Sequence, residues 1–174
     1  IPLEGTVNMI ELSSHAPGRA LIAVHKYREN DFKPYIFLTN NYGQSWTLLT
    51  DGKNGIPADH YVKVVREDPK RKGLLYAGTE YGMYVSFDEG KNWQNFQFNL
   101  PPVSIADLAL KNDDLVLATH GRGFWIMDDL TPLHSVPQNI EAEATLFKPR
   151  VAYRNQFSGF RGAAAPDPSP NGAI

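Results

Sequence analysis

The polar residues best suited to bind a ligand lie in two short loops. One loop contains Glu80 and Tyr81, and a corresponding loop further along the chain contains His120 and Arg122. An arginine can hold a carboxylate or a sugar hydroxyl through two parallel hydrogen bonds, and a histidine can exchange a proton near neutral pH. We therefore predict these four residues as ligand-binding positions. The alternative is a glycine-assisted turn whose arginine pairs with a neighbouring part of the fold.

Two pairs of adjacent acids are the candidates for glycoside hydrolysis, which usually needs two carboxyl groups about 5 to 10 Å apart. The pair Asp113 and Asp114 lies in a predicted hairpin turn, where aspartate hydrogen-bonds the local backbone. The pair Asp128 and Asp129 lies at the end of a predicted strand, and neighbours on a strand point to opposite faces. Two such neighbours cannot flank one bond, and we assign no catalytic residue from the sequence.

The composition of the 174 residues excludes several other classes of site. The chain contains no cysteine, which excludes disulfides, thiolate metal sites and a cysteine nucleophile. Its histidines have no metal-ligand spacing, so we expect neither a metal nor a cofactor. A net charge of −2 with interspersed signs does not indicate nucleic acid. The longest apolar runs are far shorter than the roughly 20 residues of a membrane span, and we expect none.

Two landmarks recur along the chain at nearly the same spacing. Residues 39–46 align with residues 86–93, and both fit the pattern Ser/Thr-x-Asp/Asn-x-Gly-x-x-Trp, which we call the box. The dipeptide at Ile56 and its following apolar run align with those at Leu100. A third copy at residues 123–129 has lost the glycine and tryptophan of the box. The repeats are placed at about residues 5–51, 57–99 and 101–133.

Each repeat contains short apolar or alternating runs between turn residues, which is the strand pattern, and no stretch has a helical period. The predicted strands are near residues 7–13, 19–27, 34–40, 45–50, 61–67, 74–79, 83–87, 93–98, 105–110, 115–119 and 124–127. This pattern predicts an all-β fold of about three four-stranded antiparallel blades of a larger β-propeller. Three blades would leave two apolar sheet faces bare, so we expect the remaining blades of the same polypeptide as partners.

Turn chemistry explains the box residues. They are Thr39, Asn41, Gly43 and Trp46 in the first box and Ser86, Asp88, Gly90 and Trp93 in the second. The serine and aspartate can hydrogen-bond the turn backbone, the glycine can adopt a positive φ, and the tryptophan can anchor the turn between sheets. Five aromatic residues fall in the predicted strands, and most of them are expected in the core rather than as sugar platforms, namely Tyr35, Phe37, Tyr84, Phe124 and Trp125. Tyr42 and Tyr81, in turns, are the better exposed candidates.

The second box resembles the Asp-box, or bacterial neuraminidase repeat, of sialidases, two-propeller xyloglucan-degrading glucanases and sortilin-like propellers. The first box has Asn41 in place of the acid. Residues 118–133 are similar to the last blade of exported bacterial proteins described as glycosyl hydrolases with Asp-box repeats or as sortilin-like repeat proteins. The resemblance implies a secreted or periplasmic protein. The arginine triad, Tyr/Glu pair and Asp acid of a sialidase site cannot be assigned to positions of this chain.

The resemblance leaves three functions open. The protein is a glycoside-hydrolase-like propeller that binds or hydrolyses a polysaccharide, with catalytic residues on other blades, or a propeller that binds a peptide or protein without catalysis, or an architectural module. The ligand is accordingly a carbohydrate or a peptide. We assign residues 1–137 to a partial propeller. Residues 138–174 are predicted to hold a post-propeller strand, near residues 144–147, and a linker rich in Pro, Ala and Gly.

Overall fold

The apolar runs form three antiparallel sheets in the computed structural model, which describes residues 4–136, 146–147 and 151. Blade 1 contains β1 (Thr6–Leu12), β2 (Ala20–Lys26), β3 (Asp31–Thr39) and β4 (Thr47–Leu48). Blade 2 contains β5 (Val62–Glu67), β6 (Leu75–Thr79), β7 (Met83–Ser86) and β8 (Gln94–Asn95). Blade 3 contains β9 (Ile105–Lys111), β10 (Asp114–Thr119) and β11 (Phe124–Met127). In each blade every strand pairs with its sequence neighbour, as a meander requires.

The blades stack face to face, and apolar side chains fill both spaces between them. One core joins blades 1 and 2, and it contains Leu21, Ala23, Ile36, Leu38, Val65, Leu75, Ala77, Tyr84 and Trp93. The other core joins blades 2 and 3, and it contains Val64, Tyr76, Met83, Val85, Ile105, Leu108, Leu115 and Leu117. Successive residues of β5, such as Val64 and Val65, enter different cores because strand side chains alternate between faces. Blade 2 is therefore buried on both faces.

The first strands of the three blades lie side by side, since β5 contacts both β1 and β9. Arg66 on β5 donates to the Glu11 carboxylate at 2.8 Å and to the Asp107 carboxylate at 3.1 Å. Nearby, Asn8 donates to the carbonyl of Lys63 at 2.6 Å. Polar contacts between first strands, with the apolar cores further out, are the arrangement of blades around a common axis.

The two boxes form turns with the same hydrogen bonds. In the second box, the Ser86 hydroxyl donates to the Asp88 carboxylate at 2.8 Å and accepts the Gly90 amide at 2.9 Å, while Asp88 accepts the Asn92 amide at 2.9 Å. The first box repeats these bonds with Thr39, Asn41, Gly43 and Ser45. Gly90 has a φ of +85° and Gly43 a φ of +82°, values that glycine adopts without strain.

The connection between blades 1 and 2 is fixed to the second box. The Trp93 amide donates to the Asn54 carbonyl at 2.7 Å, and the Trp93 ring is buried in the core between these blades. Gly55 passes so close that a Cβ there would lie 1.8 Å from the Trp93 carbonyl oxygen, which only glycine permits. A buried ion pair, Arg19 with Glu67 at 3.0 Å, joins the same two blades.

Four sequence predictions are corrected. A short helix, α1 (Thr131–Ser135), and a 3-10 turn (Tyr27–Glu29) are present, although no helix was predicted. The helix is held by blade 2, because Arg71 donates to the Leu133 carbonyl and His134 lies 3.0 Å from the Asp68 carboxylate. The fourth strands are only two residues long, and they are much shorter than predicted.

Phe124 is the third correction, because it was expected in the core and is 78% exposed. It lies on the face of blade 3 that no described residue covers. Of the strand predicted at residues 144–147, two residues lie outside the described part, and Leu146 and Phe147 are not in a strand. Within the described residues, no helix has the length and apolarity needed to cross a membrane.

We predict that Trp93→Ala lowers the free energy of unfolding by about 3 to 5 kcal/mol, because it empties a large volume between two blades. The matched variant is Trp46→Ala in the first box, whose ring is only partly buried, against a small cluster on the open face of blade 1. That variant should cost about 1 kcal/mol. Urea denaturation measures both values, and a cost for Trp93→Ala below that of Trp46→Ala would contradict the anchoring role.

Candidate ligand-binding rim

The antiparallel meander sorts the turns of the blades into two ends. Turns between first and second strands and between third and fourth strands lie at one end, which carries both boxes and which we call the box end. Turns between second and third strands lie at the opposite end, which we call the rim. The loops with the predicted binding residues, 79–82 and 119–123, are both rim turns.

The two rim loops of blades 2 and 3 close in the same way. The Thr79 amide and hydroxyl both donate to the Gly82 carbonyl, at 2.8 and 3.0 Å. The Thr119 amide and hydroxyl likewise donate to the Gly123 carbonyl, at 3.1 and 2.6 Å. A threonine at the end of the second strand and a glycine before the third thus hold each loop from within. The side chains between them are therefore not needed to close the loops.

A second set of backbone bonds places Glu80 and His120 at equivalent positions. The Glu80 amide donates to the carbonyl of Tyr61 at 3.2 Å, and the His120 amide donates to the carbonyl of Ser104 at 2.9 Å. Tyr61 and Ser104 each immediately precede the first strand of their blade. Each rim loop is therefore attached to the start of the innermost strand, beside the common axis.

The Glu80 side chain is held by a network that reaches blade 3. Its carboxylate lies 2.6 Å from the Lys63 ammonium and accepts the Tyr61 hydroxyl at 2.8 Å. Lys63 also donates to the Ser104 hydroxyl at 2.6 Å. Through Lys63 and Ser104 the structure connects the Glu80 loop to the backbone of the His120 loop.

This network keeps Glu80 ionised and Tyr61 protonated. Burial opposes ionisation of Glu80, but hydrogen bonds from Lys63, Tyr61 and Ser104 outweigh it and lower the pKa of Glu80. Burial raises the pKa of Tyr61, and the hydrogen bond to Glu80 raises it further. At neutral pH the protonated Tyr61 hydroxyl therefore donates to an ionised Glu80 carboxylate.

The other three predicted residues present their side chains outward. Tyr81 is half exposed, and its ring lies 4.6 Å from that of His60, centroid to centroid. His120 and Arg122 are exposed, and their side chains make no hydrogen bond or ion pair within the described part of the chain. The Arg122 carbonyl accepts the Trp125 indole N–H at 3.2 Å, which orders the loop backbone. The alternative of an arginine paired with a neighbouring blade is therefore not observed among these residues.

The rim contains further residues that the sequence did not predict. Lys63, Tyr61 and His60 contact the predicted residues, and an aromatic group around Tyr27 extends the rim onto blade 1. One signal was available, because Lys63 breaks the apolar run of its strand at a position near the rim. The ring contacts join residues that are distant in sequence, and no local pattern reports them. No three His, Asp or Glu side chains of the described residues form a metal-binding group.

Comparison with known proteins defines the fold. The sequence matches no protein-family model and no curated protein sequence. The chain is similar to the GH74 enzyme of Niastella koreensis, with 13% identity and a TM-score of 0.56 over 71% of this chain and 21% of that chain. An ancestral GH74 enzyme has 20% identity and a TM-score of 0.53 over 68% of this chain and 14% of that chain.

A third structure, "YCF48 bound to D1 peptide", has 19% identity and a TM-score of 0.50 over 74% of this chain and 40% of that chain. These proteins are β-propellers, and the likeness confirms the predicted all-β fold built from propeller blades. The chain spans between 14% and 40% of the length of these three structures.

We predict that Lys63→Met raises the pKa of Glu80, because burial then acts with less opposition. In the unchanged protein the pKa of Glu80 lies below its ordinary 4.5. The pair therefore stabilises the fold above that pH, and its contribution is lost as pH falls through the lowered pKa. Titration of the Glu80 carboxyl carbon by NMR measures the change. The Glu67 midpoint, governed by Arg19, should stay constant, and an unmoved Glu80 midpoint would refute the network.

Proposed function

We propose that the protein is an exported β-propeller that binds a polysaccharide at its rim, with the loops of blades 2 and 3 forming part of the binding surface. The observation that carries this proposal is the pair of similarly closed loops that contain Glu80, Tyr81, His120 and Arg122 at one end of the blades. The loops are closed by internal hydrogen bonds, while two of their side chains have no partner among the described residues. Fixed loops with free polar side chains suit ligand binding.

The chemistry of the rim favours a carbohydrate. A sugar ring has apolar C–H faces and a hydroxyl-bearing edge, so it suits a surface that mixes aromatic rings with hydrogen-bonding groups. Tyr81 and His60 supply rings, Glu80 supplies an acceptor, and Arg122 supplies donors. The charge of Glu80 is balanced by Lys63, so this pair adds no net charge to the rim.

We assign binding rather than bond cleavage to the loops of blades 2 and 3. Cleavage of a glycosidic bond usually needs two carboxyl groups that face each other across it. Glu80 is the one acid of loops 79–82 and 119–123, and its lowered pKa makes it a poor proton donor at neutral pH. Any hydrolytic activity of the complete protein would use acids from other blades.

Binding to a panel of soluble polysaccharides tests the proposal, with xyloglucan, mixed-linkage β-glucan and solubilised peptidoglycan as probes. We predict that Arg122→Ala and Glu80→Gln each weaken binding about 10-fold or more, because each removes a charge-assisted hydrogen bond. Lys91→Ala at the box end is the matched control, since Lys91 is exposed and distant from the rim along the meander. It should leave affinity unchanged.

Two outcomes would overturn this function. Retention of none of the polysaccharides would remove its basis. The protein could instead bind members of a peptide library tightly and bind no polysaccharide. If Arg122→Ala abolished that peptide binding, the alternative hypothesis of a peptide-binding propeller would be established. Release of shortened polysaccharide chains would show that the complete protein also hydrolyses its ligand.

We also propose that further blades of the same polypeptide cover the two open faces. Blade 1 leaves Ile10 and Leu12 exposed at 62% and 76%, beside an apolar groove of about 690 Å³ that includes Ile22 and Trp46. The register makes this face equivalent to the face of blade 2 that packs on blade 1. The equivalent residues are Ile10, Ile22 and Phe37 in blade 1 and Val65, Ala77 and Tyr84 in blade 2.

Ile10→Asp tests the covered face through a comparison of two chain lengths. In the complete polypeptide we predict a loss of about 3 kcal/mol or more in the free energy of unfolding, since a charge would be buried without a partner. In the 174-residue chain alone, where the face is open, the same change should cost less than about 1 kcal/mol. Equal costs in the two contexts would show that no blade covers this face.

A further inference from the structure

The rim turn of blade 1 differs from those of blades 2 and 3. It contains a 3-10 turn, Tyr27–Glu29, which ends at Asn30 with a φ of +57°. The Asn30 backbone N–H donates a hydrogen bond to the Tyr27 carbonyl at 3.1 Å. The next strand is held at its start, because the Asp31 carboxylate accepts the Lys33 amide at 3.2 Å and the Tyr35 hydroxyl at 2.7 Å. The turn is thus fixed by its own hydrogen bonds.

Three aromatic rings meet across the boundary between blades 1 and 2, and we call Tyr27, Phe32 and Tyr61 the aromatic shelf. The rings of Tyr27 and Tyr61 are stacked, with centroids 5.2 Å apart and planes 29° apart. The Phe32 ring lies 6.3 Å from that of Tyr61. Behind them, the His25 ring lies 4.7 Å from that of Tyr27, and burial, with Arg28 and Lys63 nearby, lowers the pKa of His25. This histidine therefore remains neutral at neutral pH.

The shelf is exposed on one side and continues into the loop of blade 2. Tyr27 and Phe32 remain 36% and 41% exposed, whereas Tyr61 is buried beneath them. The Tyr61 hydroxyl donates to Glu80, and the Lys63 ammonium lies 5.6 Å from the Tyr61 ring centroid. Apolar ring surface and the charged pair of the Glu80 loop therefore adjoin one another on the rim.

We propose that the aromatic shelf is a second sugar-binding subsite, on which the apolar face of a pyranose ring stacks against Tyr27 and Phe32. This inference rests on the proposed function and extends the site to blade 1. A chain that occupies the shelf reaches the Glu80 loop directly, so the ligand is an extended polysaccharide that crosses at least two blades. The Lys63 charge is balanced by Glu80, and the Arg28 guanidinium, 5.8 Å from the Tyr27 ring centroid, supplies hydrogen-bond donors for sugar hydroxyls beside the shelf.

Calorimetric titration with disaccharides and hexasaccharides prepared from xyloglucan and mixed-linkage β-glucan tests the subsite. Tyr27→Ala and Phe32→Ala should each weaken hexasaccharide binding about 3- to 10-fold, because a stacking surface is lost. Disaccharide binding at the loops should be unaffected. Tyr27→Phe keeps the ring and should bind as the unchanged protein does. Tyr42→Ala is the matched control, since Tyr42 is a 79% exposed tyrosine in a box turn.

The outcomes separate this inference from the proposed function. Unchanged hexasaccharide affinity in both alanine variants, with affinity still lost in Arg122→Ala, would overturn the subsite and leave the rim function intact. Absence of any sugar binding by the unchanged protein would overturn both. If Tyr27→Ala lowers the melting temperature, its affinity cannot be interpreted. The hexasaccharide affinity of Phe32→Ala, at an unchanged melting temperature, then tests the subsite. If the protein binds a peptide and no sugar, and the alanine variants lose that peptide binding, the assignment of a sugar as the ligand is overturned.

Discussion

Each sheet of this protein has two apolar faces, and the need to bury both of them between neighbouring sheets is the constraint on which the rest of the structure depends. Blade 2 satisfies it, with alternate residues of one strand entering the cores on either side. The energy of that stack is mainly the transfer of large side chains out of water, at about 25 cal/mol per Å² of apolar surface. The hydrogen bonds and ion pairs between blades then fix their register.

Stacking also gives the two ends of the blades different chemistry. At the box end, the Asp88 carboxylate accepts hydrogen bonds from the backbone amide and the side-chain amide of Asn92. The ion pair of Arg19 and Glu67 is buried between blades. At the rim, the loops close through threonine and glycine, and the side chains between those residues are not needed to hold the turn. The box residues are therefore engaged in holding their turns, whereas the rim is the end to which we assign ligand binding in the proposed function.

The sequence predicted the features that depend on local patterns. Period-two alternation located the eleven strands within a few residues, and the repeated box located two of the turns between third and fourth strands. The sequence pattern overestimated the length of the fourth strands, since β8 pairs with β7 at only Tyr84 and Val85. It missed α1, because a five-residue helix held by Arg71 and Asp68 has no period of its own.

The site was predicted only in part, for the same reason. Glu80 and His120 could be placed on equivalent loops because the repeat itself was visible. The partners of Glu80 could not, since Tyr61 and Lys63 are brought to it by the pairing of β5 with β6. Phe124 was grouped with the core aromatics because it falls in a predicted strand, and its exposure depends on what covers the outer face of blade 3.

The central claim is that the rim binds the ligand and that the box turns have only a structural role. Hydrogen–deuterium exchange with and without bound polysaccharide tests it most directly. Slower exchange on binding is predicted at residues 27–32, 61–63, 79–82 and 119–123, with residues 39–46 and 86–93 unchanged. Protection confined to the box turns, with the four rim segments unaffected, would contradict the assignment of the two ends.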